Sequence, residues 1–72
     1  MGNDEQARLR TLLNYWIHHN KEHSQEFREW AKKTKLSGET EIYEELVQAA
    51  QEIDKASESL SQALRRLEAK EL

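Results

Sequence analysis

The 72-residue chain has no cysteine, no proline and two glycines. Without cysteine it can build neither a disulfide framework nor a thiolate zinc site, so a bound metal would have to take nitrogen and oxygen ligands. The lack of proline and near-lack of glycine suit long helices better than sheets. Long hydrophobic runs are also missing. The opening MGNDEQARLR lacks the apolar stretch of a secretory signal, and no window approaches the ~20 apolar residues of a membrane span. A cytoplasmic protein with no membrane partner is therefore expected. Charge of one sign does not accumulate: the net charge is −3, and Lys32, Lys33 and Lys35 gather near a predicted helix end, where they complement its dipole. Nucleic acid is not an expected partner. Nor is an enzyme expected. The chain has no cysteine nucleophile, no glycine-rich phosphate loop and no serine in a nucleophile elbow.

Hydrophobic residues make up 36% of the chain and charged residues 35%, a composition that would also suit disorder. Periodicity decides against disorder. Leu9, Leu13, Trp16, Asn20, His23, Phe27, Trp30 and Thr34 recur at alternating spacings of four and three, which keeps them on one side of a helix. Ile42, Leu46, Ala49, Ile53, Ala56, Leu60, Ala63 and Leu67 follow the same rule. Between the two runs, Leu36-Ser37-Gly38-Glu39-Thr40 offers Gly38 as a left-handed helix terminator. Asn3 and Gln6 resemble a capping pair at the start. The spacing predicts one all-α domain over 1–72, with helix 1 over about 4–36, a turn over 37–40 and helix 2 over about 41–70. So short a turn makes the helices antiparallel neighbours.

A hairpin of this length has one seam and little interior. Below ~70–80 residues a single core rarely supplies more than about 3–5 kcal/mol. The apolar faces are also wider than one seam needs. The expectation is a homodimer forming an antiparallel four-helix bundle; the alternative is an adaptor whose apolar face docks another protein. Folding about Gly38 sets Phe27 by Ala49, His23 by Ile53, Trp16 by Leu60 and Leu13 by Ala63, so that large side chains meet small ones several times. Trp16, Phe27 and Trp30 are the expected packing anchors.

At mid-length the seam turns polar, with Asn20 and His23 where leucine would otherwise stand and His19 beside them. One reading is a structural polar layer that fixes register and oligomer state. Another is a metal site. His19 and His23, four apart, project from one helical face, and Glu26 would add a carboxylate; doubling across a dimer axis would give four imidazoles. A site for some other ligand is the third. His18 points about 100° away from His19, toward solvent. No glutamate stands where a zinc-protease HExxH motif needs one, and the Glu-x-x-His motif of di-iron bundles is missing.

From Trp16-Ile17-His18-His19-Asn20-Lys21-Glu22-His23 through Phe27 and Trp30-Ala31, the chain resembles a small uncharacterised helical-hairpin family of bacteria and archaea with a WxxHNxxHxxxFxxWA pattern. The resemblance covers most of helix 1 and the alanine-rich seam of helix 2. It implies a loose link with proteins of nickel or other transition-metal homeostasis, with nickel or zinc as the metal. It also implies His19, Asn20 and His23 as the characteristic polar residues. Helix 2 of that pattern often carries an asparagine in its latter half, where this chain reads Ala56-Ser57-Glu58. This departure counts against an amide from helix 2 as a ligand or orienting group.

Overall fold

The computed structural model describes residues 2–71, so two positions of the expected 1–72 domain, Met1 and Leu72, lie outside the described residues. Two helices, α1 (Asn3–Leu36) and α2 (Thr40–Glu71), fold back on each other as a hairpin, with no strand among the described residues. Their lengths of 34 and 32 residues, at 1.5 Å per residue, account for a rod of 52 × 14 × 14 Å.

The ends of α1 are built differently. At the start Gly2 is the N-cap, with its carbonyl accepting from the Gln6 N–H at 3.0 Å and no side-chain cap. The expected Asn3–Gln6 capping pair is not formed; Asn3 already lies inside the helix. Asp4 and Glu5 in the first turn face the positive end of the dipole instead. At the other end Gly38 has φ +81°, the left-handed conformation that costs least without a Cβ. Its N–H donates to the Lys35 carbonyl at 3.1 Å and the Glu39 N–H reaches back to Thr34 at 2.9 Å. This pair of bonds is the Schellman arrangement, which satisfies the last carbonyls. The Ser37 hydroxyl adds a 2.7 Å bond to the Lys33 carbonyl. The Glu39 carbonyl then accepts from the Tyr43 N–H at 3.0 Å and opens α2.

The seam between the helices differs from the expected one in a regular way. Leu13, Asn20, Phe27 and Thr34 of α1 and Leu46, Ile53, Leu60 and Leu67 of α2 turn inward as the spacing predicts. At every second step, however, the inward residue is the one after. Ile17, Ser24 and Ala31 replace Trp16, His23 and Trp30, while Tyr43, Ala50, Ser57 and Leu64 replace Ile42, Ala49, Ala56 and Ala63. One residue is 100° of helix, so each seam is rotated by about 50°. Small residues explain the choice. Ser24, Ala31 and Ala50 are buried and let the backbones approach, where Trp16 and Trp30 would hold them apart. Ile42, Trp16 and Trp30 are left exposed. The expected anchoring of the hairpin by Trp16 and Trp30 is thus not seen, and Phe27 is half-buried.

Because the helices are antiparallel, a rotation of the same sense along each sequence turns both apolar strips to one side of the rod. Leu9 of α1 accordingly shares an apolar recess with Ala63 and Leu67 of α2. The opposite side is polar. There the Arg28 guanidinium donates to the Asp54 carboxylate, which also accepts from the buried Ser24 hydroxyl. These contacts set the register: Asp54 lies level with the Ser24–Arg28 turn, within one turn of the pairing expected about Gly38.

Candidate functional site

Four rings spaced four residues apart run up the open side of α1. Tyr15 stacks on His19 with centroids 5.3 Å apart, His19 meets His23 edge-on at 4.4 Å, and His23 lies 6.0 Å from Phe27. The i, i+4 spacing of the helix alone produces this column. Within it the imidazoles converge, His19 Nε2 standing 2.9 Å from His23 Nε2. One nitrogen donates a proton to the lone pair of the other. The two rings therefore address a single point beside α1.

The carboxylate of Glu26 approaches the other side of His23, 3.4 Å from Nδ1. A carboxylate there favours the proton on Nδ1 and leaves the Nε2 lone pair facing His19, much as outer partners orient metal-bound histidines. Glu26 thus stands behind His23 and not beside the converging nitrogens. His18 faces elsewhere, paired with Glu22 at 2.9 Å and largely exposed. Among the described residues no group of three or more histidine, cysteine, aspartate or glutamate side chains converges as a metal site. One hairpin supplies two imidazoles.

In the single hairpin this region is open. His19 is exposed, while Asn20 and His23 are half-buried beside the seam. Trp16, 38% exposed, and Trp30, 58% exposed, flank it along the rod, with Lys33 Nζ 4.1 Å from the Trp30 ring centroid. Helix α2 faces the same side with Ala56, exposed, and Ile53 and Leu60, half-buried.

The polar side holds a cluster that sequence reasoning misses. Asp54 is held below the usual carboxylate range, first by the hydrogen bond from Ser24, then by the bond and charge of Arg28, against a smaller opposing effect of burial. The residues of this cluster lie 26 and 30 positions apart in sequence, so no local pattern announces it. The one available signal is an aspartate directly after Ile53, where a rotated seam brings it to the helix boundary.

The model of a family described as a domain of unknown function (DUF8180) matches residues 9–67. The matched span runs from Leu9 to Leu67 and includes the turn. No curated protein and no solved structure gives a significant match.

Proposed function

Since the chain belongs to this DUF8180 family of unknown function, we propose that it is a non-enzymatic self-association protein whose open apolar side pairs with that of a second copy in an antiparallel four-helix bundle. The observation that carries the reading is the order of residues on α2. Leu46, Ala49, Ile53, Ala56, Leu60, Ala63 and Leu67 alternate large and small along the strip. A two-fold axis crossing the rod at Glu58 sets Ala56 against the partner's Leu60 and Ile53 against the partner's Ala63. Ile53 and Leu60 then each meet an alanine, as close packing requires.

Surface area supports the same reading. A compact monomer of 8.5 kDa exposes about 4,700 Å², whereas this hairpin exposes 5794 Å². The excess, about 1,100 Å², compares with the ~800 Å² that each partner gives up in a standard stable interface. The rod's side, 52 by 14 Å at the Cα level, offers about that much room. The interior of one hairpin is thin: among the described residues Leu13, Ala31, Ala50 and Leu67 are the buried hydrophobics, and no large side chain is fully buried.

Sedimentation equilibrium over a wide concentration range tests the reading. The expected species is a dimer of the 8.5 kDa chain. Ala56→Glu, which adds a charge to a position exposed in the hairpin, should weaken dimerisation by about 3 kcal/mol, roughly a hundredfold, while helicity persists. A fully helical monomer at every concentration would overturn the proposal and favour the adaptor, in which a partner protein covers the strip.

A further inference from the structure

We propose that the His19–His23 turn is one half of a four-imidazole site for a divalent transition metal, the other half being the same turn of a second copy. The inference rests on the self-association above and gives that association a ligand.

Two unrelated features of the chain place the site. The first is the large-and-small alternation of α2, which a two-fold axis at the level of Glu58 satisfies for Ile53, Ala56, Leu60 and Ala63. The second is the register of the hairpin, read from the opposite, polar side. Asp54 lies level with the Ser24–Arg28 turn. Antiparallel helices run in opposite senses at equal rise, so four residues onward in α2 corresponds to four residues back in α1. Glu58 is therefore level with Glu22, inside the turn from His19 to His23. The axis chosen by the packing of one helix thus crosses the histidine pair of the other. Both α1 helices then run antiparallel across it, each presenting its two Nε2 atoms at the same height.

Local geometry suits a metal. The Nε2 atoms stand 2.9 Å apart, and two imidazoles on one tetrahedral zinc need about 3.3–3.4 Å, a small opening of the pair. On metal binding the proton between the two nitrogens moves to Nδ1 of His19, so both rings stay neutral and both Nε2 lone pairs face the metal. Glu26 on Nδ1 of His23 holds that ring with its Nε2 lone pair toward the His19 nitrogen. Four neutral nitrogen ligands suit zinc, nickel, cobalt or copper and not magnesium or calcium. Neighbouring α2 surfaces at this level carry Ala56, which leaves room for the rings.

The test titrates the metal-free full chain with zinc alone, reading imidazole resonances and sedimentation together. The proposal requires saturation at one zinc per two chains, perturbation of His19 and His23, and dimerisation about a hundredfold tighter with zinc at a hundred times its Kd. His18→Ala should leave all of this intact, and the His19→Ala/His23→Ala double variant should abolish zinc binding while still dimerising without metal. Saturation at one zinc per chain, unchanged affinity in the double variant, or a dimer whose imidazoles ignore equimolar zinc would overturn the site and leave the self-association standing. A chain monomeric with and without zinc would overturn both. A chain dimeric only with zinc would sustain the site and refute association by the apolar strip alone.

Discussion

Ala31 is 1% exposed between the helices, and Trp30, one residue earlier, keeps 58% of its surface open. Their neighbouring positions and opposite burial separate what holds the hairpin from what joins two of them. In the Ala56→Glu background, where association is removed, Ala31→Leu should cost about 1–3 kcal/mol by overpacking. Trp30→Ser should there cost about 0.5 kcal/mol or less, as surface changes do. Urea unfolding of the two variants checks the order, and the reverse ranking would mean that the aromatic residue faces the seam. Asp54 makes a second prediction. Its pKa is lower folded than unfolded, so its contribution is complete above the ordinary carboxylate value and disappears as pH falls through the lowered one. Thermal melts between about pH 5 and about pH 2 should therefore lose stability more gradually for Asp54→Asn than for the natural chain. Identical acid limbs would show that Ser24 and Arg28 do not act through this carboxylate. The pair is open to solvent, so the effect is small, within about 1 kcal/mol.

At the scale of the elements, the turn is where one residue matters most. A Cβ built on Gly38 meets nothing within 4 Å, so the cost of Gly38→Ala comes from its φ of +81° alone, about 1–2 kcal/mol. Gly38→Asn should cost less, because asparagine tolerates this conformation better. Denaturant midpoints for the two variants check this, and equal losses would point to a contact instead of backbone strain. The turn and both helices are legible in the sequence because their signals are local: apolar residues at spacings of four and three, and a glycine where the pattern breaks. The choice of seam is not local. Each helix has an apolar arc wide enough for two seams, and Leu13, Asn20, Phe27 and Thr34 belong to both. Which one the hairpin closes depends on how near the backbones can come, and so on Ser24, Ala31 and Ala50 of both helices together. The histidine column was legible, since i, i+4 spacing alone sets it. The side of His23 that Glu26 approaches depends on rotamers that spacing does not specify.

For the molecule as a whole, the rod has four buried hydrophobics among the described residues and one open apolar side. The strip turned away from the seam repeats the seam's own spacing, so a second hairpin can cover it by the packing rules that join α1 to α2. The proposed association across the rod, with the turns at opposite ends, would bring the histidine pairs together. An axis along the rod would instead set the turns side by side and place α2 of one copy over α1 of the other. The measurement that separates these most directly is the distance between the two turns in solution. The chain has no cysteine, so Leu36→Cys, at a position 88% exposed beside the turn, takes one spin label per copy. Double electron–electron resonance should give an interlabel distance of about 40–45 Å, since Leu36 lies 14 residues beyond the axis level of Glu22 in each copy at 1.5 Å per residue. A distance less than half of this, or no dipolar coupling at concentrations where the helices are fully formed, would contradict the crossed, face-to-face dimer.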